Sequence, residues 1–239
     1  MILNEIKDTI LHILFPPVCF SCERDIKQGE KDILCSKCLL NLKYIKSPYC
    51  RICGISIDGQ ELCYKCRKRE RKFNFKFSRS VFMYNREISS VIIAYKYQKK
   101  QWLGRWISDK MIEGFNNYPE FKDYRSIVYT PISKKKFLTR GFNQTEIIAK
   151  YISQKFGLEL IEDAVVKIKD TESQVNLDAA KRNENIKGSF AVRKTDSVKN
   201  KNIIIIDDVA TTMSTLNEIA GVLKEAGASK VSCYTLARE

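Results

Sequence analysis

The sequence predicts an α/β fold, a parallel sheet flanked by helices, preceded by a small module held together by cysteines. Three stretches predict it. Residues 203–206 are consecutive isoleucines, a run suited to a strand buried on both faces of a parallel sheet. The run ends on Asp207 and Asp208, followed by Thr211, Thr212, Met213, Ser214 and Thr215 and then a helical stripe through Leu216, Ile219, Ala220 and Leu223. Residues 126–150 repeat the layout, with Ile127, Val128 and Tyr129 as strand, a basic loop after Pro131, and a helix through Ile147, Ile148 and Tyr151. The third stretch, residues 19–66, carries the Cys-x-x-Cys pairs Cys19/Cys22, Cys35/Cys38, Cys50/Cys53 and Cys63/Cys66.

A chain of 239 residues holds one domain of moderate size and a smaller one. The expected division is 1–72 for an N-terminal helix with the cysteine module and 73–239 for the α/β domain. A net charge of +14 points to an acidic partner such as nucleic acid, nucleotide or anionic lipid. The plainer reading is a basic surface that serves solubility. Glu5, Lys7 and Asp8 interrupt the apolar pattern a signal peptide would need, and no stretch approaches the roughly 20 apolar residues of a spanning helix. The chain therefore reads as cytoplasmic, where nine cysteines argue for metal over disulfides.

Taken in order, Ile2, Leu3, Ile6, Ile10, Ile13 and Leu14 fall at helical spacing, stopped by Pro16 and Pro17. His12 lies within that helix and reads as structural, because the cysteines complete their ligand sets without it. A Cys-x-x-Cys turn aims two thiolates at one ion, and two turns complete a tetrahedron, so the eight paired cysteines predict two four-cysteine zinc sites. An iron–sulfur cluster would need the same ligands. Sequential pairing leaves shorter gaps than a cross-braced one and is favoured. The segment has few large apolar residues, so metal stands in for a core. Cys233, on an apolar C-terminal run, reads as a small buried hydrophobe.

Arg67, Lys68, Arg69, Arg71 and Lys72 form a dense basic run beside Phe73, Phe75 and Phe77. Cations interleaved with aromatics suit single-stranded nucleic acid, which they hold by phosphate contact and base stacking. The alternation of the phenylalanines equally suits a strand facing the core. Residues 81–117 read as helical after a short strand at Val81 to Tyr84, and Lys96, Lys99 and Lys100 make a second basic patch expected on exposed faces of the helices. Lys135 and Arg140 sit in the basic loop of the second strand–helix unit, where a pyrophosphate could bind. Residues 165–190 read as a loop and a short helix, with a lid as one possibility. Residues 231–236 read as the final strand.

Strand, acid pair, hydroxyl loop and helix have the layout of an anion site at the carboxyl edge of an open sheet, while the plainer reading is a polar end to a βα unit in which the acids cap a helix. Residues 207–215 resemble the phosphoribosyl-pyrophosphate (PRPP) loop of type I phosphoribosyltransferases. The order of features along the chain resembles the ComF family of competence proteins. Those features are the cysteine pairs behind Pro16-Pro17, Arg140-Gly141-Phe142-Asn143-Gln144, the spaced Gln174, Leu177, Arg182 and Asn185, the Asp207-Asp208 loop and Ala237-Arg238. The resemblance covers nearly the whole chain. It implies a type I phosphoribosyltransferase-like domain behind a double zinc ribbon. It also implies cytoplasmic handling of incoming single-stranded DNA in natural transformation, with a helicase-like partner. By position, Asp207 and Asp208 would meet ribose and Mg²⁺, Arg140 and Lys135 the pyrophosphate, and residues 211–215 the 5′-phosphate. Where the transferase loop usually has glycine this chain has Met213, which bears on turnover more than on binding.

Two functional readings follow. In one the chain binds DNA and senses PRPP. In the other it is a working transferase in which a nitrogenous base attacks C1 and pyrophosphate leaves, with Asp207, Asp208 and Arg140 at the reacting centre.

Overall fold

The computed structural model describes residues 16–30, 32–68, 73–169 and 186–239. The expected N-terminal helix with His12, the basic residues Arg69, Arg71 and Lys72, and the stretch with Gln174, Leu177, Arg182 and Asn185 lie outside those residues.

The cysteine segment is two versions of one turn. In each, the residue after the second cysteine of the first pair has a left-handed backbone, Glu23 at φ 60° and Gly54 at φ 71°. Its amide donates to the first cysteine's carbonyl at 2.9 Å in both copies. Isolated antiparallel bridges flank both turns, Val18 with Asp25 and Tyr49 with Ser56. The later pair of each quartet opens a short helix, α1 (Ser36–Leu40) after Cys35 and α2 (Tyr64–Arg67) after Cys63.

The rest builds a parallel sheet. β1 (Ser78–Met83) leads into α3 (Arg86–Tyr97) and α4 (Leu103–Phe115). β2 (Ser126–Tyr129) precedes α5 (Lys134–Arg140) and α6 (Gln144–Phe156). The short β3 (Glu159–Leu160) follows, then β4 (Val165–Lys167), β5 (Phe190–Val192) and α7 (Thr195–Val198). The chain continues through β6 (Asn202–Ala210), α8 (Ser214–Glu225) and β7 (Lys230–Arg238). The sheet order is β1-β7-β6-β2-β3, and β4 pairs with β5 as a separate antiparallel pair.

β6 runs down the middle, and its isoleucines are fully buried because alternate residues serve opposite faces. Ile204 and Ile206 join α3, α4 and α6 in one core. Ile203 and Ile205 join α8 in the other. The acid pair does not end this strand, as the sequence suggested. Pairing with β7 continues through Val209–Ala237 and Ala210–Arg238, so the carboxylates sit within the strand's last turn of pleat. The phenylalanine run also differs from its expected strand. Phe75 and Phe77 are buried but in different cores, and β1 begins only at Ser78.

The cysteine segment is built into this sheet. The Ile45 amide donates to the Val81 carbonyl and Met83 to Lys43, edging β1. The Ser78 amide donates to the Ile52 carbonyl. A Cβ on Gly54 would lie 2.5 Å from the Ser78 carbonyl oxygen, and its φ is positive, so only glycine allows this approach. Arg79 is buried at 3% exposure. It donates to Glu120 Oε1 through Nε at 2.9 Å and Nη2 at 2.7 Å, and to the Arg51 and Ser78 carbonyls. Among the described residues no helix is long and apolar enough to cross a membrane.

Candidate functional site

Two sites emerge, a pair of cysteine clusters and a pocket at the sheet's carboxyl edge. In each cluster the sulfurs lie within 4.8 Å of one another, with Cys19, Cys22, Cys35 and Cys38 in one and Cys50, Cys53, Cys63 and Cys66 in the other. The sequential pairing is the one formed. Four converging thiols cannot all ionise unaided. A hydrogen bond from Cys53 holds Cys50 down to about 4, while the same bond pushes Cys53 far up. Burial and then the Cys50 charge push Cys66 up to about 12. A dication lets all four be thiolates, so the donor set fits structural zinc. Cys233 is buried in the core, as expected of a small hydrophobe.

The pocket, about 620 Å³, opens where four parallel strands end. Tyr84 follows β1, Thr130 follows β2, Asp207 and Asp208 lie in the last part of β6, and Glu239 follows β7. Ligands of open parallel sheets bind at such an edge. Asp207 is 7% exposed and accepts the Asp208 amide at 2.9 Å. Burial, then the neighbouring Asp208 charge, pushes Asp207 up to about 7.

Asp208 faces a cation that the sequence misplaced. Lys96, expected on an exposed patch, puts Nζ 2.6 Å from Asp208 Oδ2. The reason is helical phase. Ile92 and Lys96 lie one turn apart on the face of α3 that turns to the β6 edge. Asp208 as it stands does not fit a resident divalent cation, because that oxygen already holds an ammonium. Lys99 and Lys100 stay on the surface, Lys100 over the Phe20 ring at 4.9 Å.

The expected basic loop is the helix α5. Ser133 caps it, accepting from the Lys136 amide at 3.3 Å, and Gly141 at φ 85° closes it. Lys135 points to solvent and Lys136 lines the pocket instead. Arg140 donates to Gln144 Oε1 and lies over Tyr97 at 5.5 Å, beside the pocket wall. The Arg-Gly-Phe-Asn-Gln stretch thus has local duties. Phe142 packs on Tyr95, and Asn143 caps α6 while donating to the Thr130 carbonyl at 3.2 Å.

Thr211, ahead of α8, and Thr215, in its first turn, line the pocket. Thr212 and Ser214 share a 2.7 Å hydroxyl hydrogen bond. Met213 is left-handed, φ 68°, with its side chain 3% exposed in the second core. An L-residue there carries about 1–2 kcal/mol of strain, which the buried thioether offsets. Met213→Gly is therefore expected to melt higher than Met213→Ala, by about 1 kcal/mol of unfolding free energy in urea. An Ala variant equal to or above Gly would remove the strain.

Comparison with known proteins agrees with this geometry. Residues 10–67 match the double zinc ribbon domain, and residues 139–239 match the phosphoribosyl transferase domain. The chain is 28% identical to Competence protein F of Haemophilus influenzae, over 92% of this chain and 96% of that one. Competence protein ComFC of Streptococcus pneumoniae is 25% identical over 88% and 97% of the two chains. Over nearly its whole length the chain is similar to these competence proteins, in line with the resemblance to the ComF family read from the sequence. DNA utilization protein YhgH of Escherichia coli, 26% identical over 93% of this chain and 97% of that one, extends the set. The chain thus has a phosphoribosyltransferase-like parallel sheet with helices on both faces behind two zinc-ribbon-like sites.

The sequence placed Lys96, Lys136 and Arg79 in basic runs and singled out none of them for the partner or pocket it meets. No periodicity says which helix end meets which strand end, so Lys96 had no signal. Arg79 had a weak one, as a lone cation among Ser78, Ser80, Val81 and Phe82.

Proposed function

We propose that this chain handles single-stranded DNA in the cytoplasm during natural transformation, and that its pocket binds PRPP or a related phosphoribosyl ligand. The acid pair set against the hydroxyl loop and the α8 N-terminus carries the reading. Asp207 and Asp208 would take the ribose hydroxyls, and the 211–215 loop with the helix N-terminus the 5′-phosphate; their lining of one pocket supports this. Mg²⁺ arriving with the ligand meets Asp208 only where Lys96 has left it. The names of the relatives, with competence and DNA utilization in them, support the DNA half.

Charge and exposed rings on the surface support it further. Lys68 lies over the exposed Tyr64 ring at 4.8 Å, beside Arg67. Tyr97 and Trp102 are exposed on either side of Lys99 and Lys100. These suit phosphate contact with base stacking, and a helicase-like motor is the partner such a strand would come from.

The test is a pair of titrations on one protein. Asp207→Asn with Asp208→Asn is expected to weaken PRPP binding at least about tenfold and leave DNA binding unchanged, because hydrogen-bonded charges are lost at one site only. DNA affinity is expected to fall steeply with salt as counterions are released. Equal loss of both ligands, or a flat salt response, would overturn the two-site reading. Working transfer to a nitrogenous base is the second reading, favoured by the shared hydroxyl-loop architecture. Pyrophosphate release with any base from a panel would establish it.

A further inference from the structure

We infer that Lys96 is the resident counter-cation of the acid pair, and that it lets the pocket take a phosphorylated ribose without a divalent cation. The inference rests on the phosphoribosyl reading of the pocket and names what that pocket asks of its ligand.

The geometry is that of a built pair. Lys96 Nζ and Asp208 Oδ2 are 2.6 Å apart, with side chains 19% and 4% exposed. Burying one such charge alone costs several kcal/mol, so the acid pair needs a cation beside it in the resting protein. Here the cation is covalently part of the chain.

A divalent cation competes for the same atom. Mg²⁺ wants carboxylate oxygens at about 2.0–2.1 Å in an octahedron and keeps several waters. Two unit charges 4 Å apart repel by about 4 kcal/mol at an effective dielectric of 20, and a dication doubles that. Ammonium and metal therefore exclude each other at Asp208. A metal could enter only by driving Lys96 off a buried partner.

The pocket walls are already balanced. Lys96, Lys136 and Lys167 line it against Asp207, Asp208 and Glu239. An incoming pyrophosphate finds ammonium groups, and ribose hydroxyls find carboxylates, with no further ion. The acid pair lies inside the 139–239 span that matches the transferase domain, and Lys96 lies outside it. The helix in front of that domain brings the cation to it.

The decisive experiment is calorimetric titration of the full-length, zinc-loaded protein with PRPP in metal-depleted buffer, then in millimolar Mg²⁺. No chelator is used, because it would strip the cysteine sites. Mn²⁺ uptake by the protein alone, read by electron paramagnetic resonance, is the second readout. Wild type is expected to bind PRPP within about threefold under the two conditions and to take up no Mn²⁺ at the pocket. Lys96→Met is expected to lose at least about tenfold in the metal-depleted buffer, regain it with Mg²⁺, and bind Mn²⁺. Lys96→Arg keeps the wild-type pattern and guards against a Met variant that fails to fold.

Wild-type binding that disappears without Mg²⁺ overturns the inference. So does a wild-type protein that takes up Mn²⁺ as readily as Lys96→Met. If PRPP binds under neither condition the phosphoribosyl reading falls by itself, and the Mn²⁺ comparison still decides what Lys96 does.

Discussion

Removing zinc is expected to unfold more than the cysteine segment. Cys19 and Cys38 belong to the core on one face of the sheet, and Cys50, Cys53 and Cys66 to the core on the other. Structural zinc contributes about 10–16 kcal/mol in isolated fingers, which matches or exceeds the 5–15 kcal/mol total stability of an ordinary domain. Loss of either ion should therefore spread into β1, whose outer edge is held by Ile45 and Lys43. Hydrogen exchange after metal removal, with zinc loss verified by mass, is expected to show lost protection over residues 16–68 and 73–83 together. Cys19→Ser and Cys50→Ser should each reproduce most of it. Protection that falls only in 16–68 would make the ribbons a separable unit divided near residues 72 and 73. Unchanged protection would sink the structural-metal assignment.

Arg79→Met should be strongly destabilising, because it breaks a buried ion pair. The guanidinium joins three parts of the chain through hydrogen bonds to Glu120 and to the Arg51 and Ser78 carbonyls. It also lies over the Tyr49 and Phe77 rings, 4.7 Å from each. Methionine keeps the apolar stem and leaves Glu120 and two carbonyls short of donors. Breaking a buried pair this way costs about 3–5 kcal/mol. Glu120 is partly exposed and can turn to water, which places the expectation at the lower end, about 3 kcal/mol in urea unfolding. Glu120→Gln should cost less, and the double variant less than the sum, because the two share one interaction. Full additivity would mean that Arg79 acts through its carbonyl and ring contacts and not through Glu120.

The central strand and the cysteine quartets were legible because their signals are local. Four isoleucines need burial on both sides, and a Cys-x-x-Cys pair needs only its own turn to present two sulfurs. The short gaps between pairs then favoured the neighbours that the structure does bring together. The acid pair was legible at the sheet's carboxyl edge for the same reason, since it follows the isoleucines directly in sequence. What failed was non-local. The run of Lys134, Lys135 and Lys136 looked like a loop because its charge hides a helix capped by Ser133 and Gly141. Lys96 looked like surface because its partner lies more than a hundred residues away on another strand. Met213 was legible as a departure, but only the backbone shows it in the left-handed region.

The strand order also sets a timetable. β1 pairs with β7, and Ser80 meets Thr235 across 155 positions of chain. At ribosomal speeds of about 5–20 residues per second, β1 waits roughly 8–30 s for the neighbour that completes the sheet on its side. During that interval the two cysteine turns have already emerged, and each can take its ion using residues close in sequence. The nascent chain is thus held first by metal and only later by hydrophobic burial. A shortage of zinc would be felt during synthesis, as a growing chain whose apolar β1 stays uncovered and open to association with other chains.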